Sequence, residues 1–150
     1  IIDTLEEYDI SNRVIFEIVE SESIDNFDDI ERFITKLKSY GCRISIDDFG
    51  TGYSSLAYLK HLPLDSLKID RSFVNDITED NNNQAIVRAI IGLSHNLGLT
   101  VIAEGVETLD QQIFLTDNGC DTLQGFFFSK PLKSEDIERM LADRKKAATW

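Results

Sequence analysis

Asp47 and Asp48 stand side by side after an apolar segment, Ile44-Ser45-Ile46, and a glycine-containing loop begins at Phe49-Gly50-Thr51-Gly52. Successive strand residues point to opposite faces, so adjacent acids at a strand end should diverge. At the mouth of an α/β fold, where strand gives way to loop, both can instead reach one cation. Unpaired, the two carboxylates would repel each other, and a divalent metal removes that penalty. The competing role is local: Asp48 alone would cap the following turn. Further acids at other strand ends favour the metal.

Those acids are placed by alternating elements. Val14–Val19 reads as a first strand and carries Glu17, with Glu20 just beyond it. A helix is predicted from about Asn26 to Ser39, with Phe27, Ile30, Phe33, Ile34 and Leu37 at helical spacing and Gly41 as its stop. Arg43–Asp47 forms the second strand, and a short helix is expected over Ser54–Lys60. Ser66–Asp70 is the third strand and carries Lys68. Thr78–Asn83 reads as a polar loop, followed by a helix from about Gln84 to Leu97. Thr100–Ala103 leads to Glu104 and Glu107. Thr108 and Gln111 have capping-box spacing for a helix ending near Asn118-Gly119. Thr122–Gln124 is a fifth strand, and Ser134-Glu135-Asp136 opens a last amphipathic helix.

Strand–helix alternation implies a parallel sheet with right-handed crossovers. No glycine-rich dinucleotide fingerprint and no phosphate-loop motif follows any strand. Polar residues recur at strand ends instead: Glu17 and Glu20, Asp47 and Asp48, Lys68 and Asp70, Glu104 and Glu107, then Gln124. In a (β/α)8 barrel these ends converge on one face, whereas in an open sheet they would spread along a line. The expected fold class is therefore α/β, a TIM-like barrel. Only about five of the eight strands are visible, so the chain reads as a partial barrel in a single domain spanning residues 1–150 and as a piece of a longer polypeptide.

The chain has 150 residues and a net charge of -12, which argues against DNA or an anionic membrane surface as its partner. An anionic substrate would need bridging metal ions. The two cysteines, Cys42 and Cys120, make neither a metal-type pair nor a disulfide framework. No apolar run approaches the roughly 20 residues of a membrane span. A reduced, cytoplasmic setting is expected.

Five blocks, in order, resemble the EAL domain, the bacterial phosphodiesterase of cyclic di-GMP. They are Phe16-Glu17-Ile18-Val19-Glu20-Ser21, Ile46-Asp47-Asp48-Phe49-Gly50-Thr51-Gly52-Tyr53-Ser54-Ser55-Leu56, Leu67-Lys68-Ile69-Asp70-Arg71-Ser72-Phe73-Val74, Ala103-Glu104-Gly105-Val106-Glu107-Thr108, and Gln124-Gly125-Phe126 with Phe128-Ser129-Lys130-Pro131. The family's Glu-Ala-Leu segment and the strand-borne Asn that supplies another ligand are absent. On this resemblance the chain corresponds to the C-terminal three-fifths or so of the domain.

The resemblance implies a two-metal site for Mg²⁺ or Mn²⁺. Glu17 and Asp47 would be ligands, Asp47 would bridge, and Asp48 and Glu104 would hold the second ion. Carboxylate oxygens suit such hard cations, and the absence of His or Cys from the set disfavours zinc. Lys68 would position or deprotonate the attacking water, the latter only if its pKa were lowered. The alternative for Lys68 is an ion pair with Asp70 and Glu104. Gln124 would orient the water or the lysine, unless it is a buried, backbone-satisfied glutamine. Together Lys68, Glu104 and Gln124 form the expected catalytic set. Glu20 would anchor the loop from Phe49 to Ser55, with Asp70 and Glu107 as supporting acids. Phe126 could stack on a guanine, although Phe126–Phe128 at a strand end more often belong to a core. His61 and His95 read as surface or packing residues.

The implied activity is hydrolysis of cyclic di-GMP to linear pGpG, with weak or no turnover from these 150 residues alone. Alternatives are a receptor that binds cyclic di-GMP without cutting it, and a non-catalytic scaffold. A homodimer is expected, as is an upstream diguanylate cyclase-like or sensor domain.

Overall fold

The computed structural model describes residues 1–8, 10–19, 27–51 and 56–147. Among these residues, seven α-helices and five strands follow one another: α1 (Ile2–Tyr8), β1 (Ile15–Val19), α2 (Phe27–Ser39), β2 (Arg43–Phe49), α3 (Leu56–His61), β3 (Ser66–Ile69), α4 (Arg71–Asn75), α5 (Asn81–Asn96), β4 (Thr100–Ala103), α6 (Leu109–Asp117), β5 (Thr122–Leu123) and α7 (Ser134–Ala147). All pairings are parallel, in the order β1-β2-β3-β4-β5. A doubly wound sheet would reverse its strand order at a switch point. Strictly sequential order is the arc of a barrel, here five strands of one.

Side-chain alternation sorts the strands into two faces. Ile44, Ile46, Leu67, Ile69, Val101 and Ala103 are buried in the apolar clusters shared with the helices. Ser45, Ser66 and Lys68 alternate with them, and all three are also buried. β3 is buried along its whole length, as expected for a central parallel strand covered on both faces. β1 and β5, each with one neighbouring strand among the described residues, are partly exposed.

Two boundaries differ from the sequence expectation for identifiable reasons. α5 begins at Asn81, inside the predicted polar loop, because the Asp80 side chain caps it by accepting from the Asn82 N–H at 2.7 Å. α4 was not anticipated; five residues are too few for a periodic stripe, and it starts on the Asp70 side chain, which accepts from the Ser72 N–H at 3.0 Å.

Buried polar residues tie the loops down. The predicted capping box of α6 is present, and Gln111 does more than cap. Its Oε1 accepts from the N–H groups of Glu107 (2.7 Å) and Thr108 (3.0 Å), while its Nε2 donates to the carbonyls of Val74 (3.1 Å) and Asn75 (3.0 Å). One side chain thus joins the loop carrying Glu104 and Glu107 to the end of α4. At the opposite ends of the strands, Asp65 and Asp121 each accept a backbone N–H from the preceding strand, from Ile44 at 2.8 Å and from Val101 at 2.7 Å. Asp121 also pairs with His95 at 2.9 Å, so His95 has a specific partner that its sequence surroundings did not reveal.

Asp121 gives the fold an acid limb. Burial alone would raise its pKa, but His95 and the Val101 N–H outweigh that and hold it below the ordinary aspartate value. A depressed carboxyl contributes stability that is complete above the unfolded value, near pH 4, and is lost as pH falls through the folded one. Asp121→Asn should therefore flatten the decline in stability below about pH 4, as read by chemical denaturation across pH.

No helix among the described residues is long and apolar enough to cross a membrane.

Candidate functional site

Lys68 is the centre of the site. Its side chain is only 6% exposed, and its Nζ lies 2.6 Å from Glu104 Oε1, 2.9 Å from Glu17 Oε1 and 3.0 Å from Asp47 Oδ1. Four consecutive strands supply these groups: Glu17 lies on β1, Asp47 on β2, Lys68 on β3, and Glu104 just past the end of β4. Burial alone would lower the lysine pKa, but the hydrogen bonds to Glu104, Glu17 and Asp47 outweigh it and hold the ammonium above its usual value. These three carboxylates hold Lys68 as a cation in this arrangement.

Asp48 reaches the same rim through a backbone irregularity. β2 pairs with β3 through Ile46↔Leu67 and then Phe49↔Ile69, so Asp47 and Asp48 together oppose the single residue Lys68. This is a β-bulge, a device that re-aims side chains. Asp48 takes φ +55°, the only non-glycine residue with positive φ among those described. The bulge and the left-handed backbone break the strand alternation that would have sent adjacent acids apart. Carboxylate oxygens of Asp47, Asp48 and Glu104 consequently lie within 4.8 Å of one another. Burial, then the nearby charges of Asp47 and Asp70, raise the Asp48 pKa. Such mutual repulsion is the electrostatic signature of a place that favours a cation.

The remaining expected residues take several positions. Asp70 is the α4 cap, and the hydrogen bonds from Ser72 hold its pKa below the ordinary value despite burial. The alternative of an ion pair with Asp70 and Glu104 forms in part: Lys68 pairs with Glu104, while Glu17 and Asp47, not Asp70, make its other close contacts among the described residues. Glu107 and Gln124 are exposed, so the alternative of a buried glutamine is set aside. Both line a cleft of about 190 Å³ with Arg71, Glu104 and Phe126. Phe126, Phe127 and Phe128 are 57%, 39% and 43% exposed, so they are not the core residues that their position suggested. Glu20 and loop residues 52–55 lie outside the described residues.

Sequence reasoning gave no ground for singling out Arg71, which faces this cleft; its place directly after the strand-end pair Lys68 and Asp70 was the available signal. Gly125 is equally easy to overlook. The loops after β4 and β5 are joined by Val106 N–H to Gln124 O at 3.0 Å and Phe127 N–H to Val106 O at 3.0 Å. A Cβ at Gly125 would lie 2.1 Å from the Val106 carbonyl oxygen. Gly125→Ala must prise the two loops apart, a strain of about 3 kcal/mol. It should lower the melting temperature by several degrees in a chain of this size, measured by calorimetry.

Comparison with known proteins places this geometry. A family model described as the EAL domain matches residues 1–131. The signalling protein YkoW of Bacillus subtilis is 46% identical over 143 residues, covering 95% of this chain and 18% of its own length. The bifunctional diguanylate cyclase/cyclic di-GMP phosphodiesterase MucR of Pseudomonas aeruginosa is 48% identical over 126 residues, covering 84% of this chain and 18% of its own length. The solved c-di-GMP complex of the PaMucR phosphodiesterase superposes with a TM-score of 0.86 at 45% identity, over 90% of this chain and 55% of that one. The manganese and cyclic di-GMP complex of Klebsiella pneumoniae BlrP1 gives a TM-score of 0.76 at 40% identity, over 81% of this chain and 31% of that one. The chain thus spans less than a fifth of the length of these two sequence relatives. With the family model matching most of its length and a five-strand arc of the corresponding barrel in place, the chain belongs to the EAL domain family.

Proposed function

We propose that this chain carries the larger part of a metal-dependent phosphodiesterase site that opens cyclic di-GMP to linear pGpG. The observation that supports this best is the convergence of Glu17, Asp47 and Glu104 on Lys68, with Asp48 completing a group of three close carboxylates. The donor set is entirely carboxylate oxygen, which fits Mg²⁺ or Mn²⁺ and not zinc. Asp47, Asp48 and Glu104 would hold the ions, with Glu17 beside Asp47. When bound, two such ions would offset the phosphodiester charge and acidify the attacking water.

The chain's own residues do the rest. Lys68 keeps Asp47 and Glu104 aimed at the rim, and an N–H released when those carboxylates turn to the ions would donate a hydrogen bond to the water. Glu104 accepts that water's proton at a carboxylate oxygen. Gln124 orients the water through its side-chain amide, and Phe126 offers its ring to a guanine. Asp70 and Glu107 support these positions, and Glu20 anchors the loop after β2. The same reading includes a cytoplasmic location, a homodimer, and an upstream cyclase-like or sensor domain.

Chromatography after incubation with cyclic di-GMP and Mn²⁺ tests the reading, with weak or no pGpG expected from these 150 residues alone. Brisk pGpG formation would overturn the expectation of low activity. Absence of any Mn²⁺-dependent binding of cyclic di-GMP would overturn the site itself.

A further inference from the structure

We propose that the short helix α4 is the spacer that sets the Asp47-Asp48 pair against Glu104, and that Gln111, on α6, is the positioning residue that locks this spacer in place. The inference rests on the reading that these carboxylates hold divalent cations, and adds to it how their spacing is fixed. Oxygens that share an ion must be held within about 0.5 Å of their productive positions, which is the task of the residues behind them.

β3 lies between β2 and β4 in the sheet, and α4 follows β3 almost at once. The chain leaving β2 and the chain leaving β4 each lay a glycine against this helix. Gly50, two residues past Asp48, has φ +97°, and a Cβ there would come 2.8 Å from the Phe73 ring. Gly105, directly after Glu104, has φ +69°, and a Cβ there would come 2.6 Å from Arg71 Cβ. Each glycine permits a left-handed turn and also leaves the room that a residue of α4 occupies. Phe73 is in turn packed against the core cluster that holds Ile90 and Val74. One helix, anchored in the core, thus touches the backbone beside both groups of carboxylates.

Gln111 fastens the other end of that helix. It is 5% exposed, and its amide uses both of its donors and accepts twice at its oxygen. The Oε1 bonds, from the Glu107 and Thr108 N–H groups, are what a capping box at the start of α6 requires. Capping asks nothing of Nε2. Its bonds to the Val74 and Asn75 carbonyls, at 3.1 and 3.0 Å, reach instead the last residues of α4. Since Glu107 lies three residues past Glu104, the amide ties the Glu104 loop to the helix that also supports the chain after Asp48. The Lys68 bonds to Asp47 and Glu104 cannot do this once the carboxylates turn to an ion. The α4 contacts are to backbone and to glycines, so they persist whichever cation the carboxylates face.

Mn²⁺ titration, and backbone hydrogen exchange in chelator, test this on the 150-residue chain. In Gln111→Glu the carboxylate keeps both cap bonds, as in the commonest capping box, and the donor to Val74 and Asn75 is lost. Mn²⁺ affinity should fall about 10-fold, the lower end for a supporting partner outside the ligand set. Charge alone would act the other way, since an added carboxylate attracts cations, so a fall reports displaced ligands. Without metal, exchange should quicken over α4 and residues 104–108 and stay unchanged in α2. Thr108→Ala, which weakens the α6 cap and leaves the amide bridge, should lower the melting temperature by a few degrees without changing Mn²⁺ affinity. Phe73→Leu, which withdraws the ring from Gly50, should weaken Mn²⁺ binding as Gln111→Glu does. If wild type binds Mn²⁺ and Gln111→Glu binds it equally, the spacer is refuted and the carboxylate site stands. Equal losses in Gln111→Glu and Thr108→Ala, or exchange that quickens throughout the chain, would also refute it, by tracing the effect to general stability. If wild type binds no Mn²⁺, the carboxylate site and the spacer fall together.

Discussion

Lys68→Met is expected to remove turnover, destabilise the metal-free protein and tighten divalent-cation binding, all through one lost charge. The ammonium is 6% exposed and lies within 3.0 Å of three carboxylates. Taking away one partner of a buried ion pair costs about 3–5 kcal/mol, because the other charges stay behind unpaired. Here the lower end applies, since the Glu17 side chain is 50% exposed and water screens it. Thermal denaturation in a chelator should thus show a loss of about 3 kcal/mol. Adding Mn²⁺ should restore most of that loss, as a cation takes the place of the missing charge among Asp47, Asp48 and Glu104. Cation affinity itself should rise about tenfold or more, the scale of one like-charge interaction near a protein surface. In the longer protein, activity should still fall, by about 10²- to 10⁴-fold, because the group that positions the water is gone. The combination is diagnostic: a merely structural lysine would lose stability without gaining metal affinity. An unchanged melting temperature in chelator would show that the carboxylates do not depend on Lys68.

The barrel arc and the rim were legible because each rests on a strong, local pattern. Strands β1 to β5 are short, largely apolar runs between helical stripes, with Glu20, Asp70, Glu104 and Gln124 directly after β1, β3, β4 and β5, and Asp47-Asp48 near the end of β2. That is enough to infer that Glu17, Asp47, Lys68 and Glu104 share a face. How they meet was not legible. Nothing in the run Ile46-Asp47-Asp48-Phe49 announces a bulge, since the register is set by β3, twenty residues on. The state of Lys68 was also open: the sequence allowed a lowered pKa suited to a base, and only the distances to its three partners show that hydrogen bonding outweighs burial. Gln111 illustrates the same limit from another side. Its capping box is a four-residue pattern, but its bonds to Val74 and Asn75 span 37 and 36 positions and depend on how α4 packs. Patterns within a turn or a strand could be read directly, and contacts made across the sheet could not.

Asp48→Gly should yield a protein at least as stable as the parent and much less able to hold cations. Asp48 sits at φ +55°, where an L-residue gives up about 1–2 kcal/mol relative to glycine, although aspartate tolerates the region better than most. Its carboxylate also faces those of Asp47 and Asp70, which together with burial raise its pKa. Glycine removes both penalties, so the melting temperature in chelator should stay level or rise by a few degrees. The same change deletes one of the three oxygens grouped within 4.8 Å. Loss of even an outer-shell partner costs 10- to 100-fold in metal affinity or activity, so a direct ligand should cost at least about 100-fold. Asp48→Ala separates the two effects: it loses the same oxygen but keeps the backbone strain, and should be the less stable of the pair. Asp48→Asn keeps a neutral oxygen and tolerates the left-handed backbone, so it should retain stability and recover a small part of the cation affinity. Calorimetry in chelator and Mn²⁺ titration of the three variants give the ranking directly. Stability gained at the expense of the site would mark the bulge as a strained arrangement kept for binding. A loss of stability in Asp48→Gly that matched its loss of affinity would instead make Asp48 a structural turn residue.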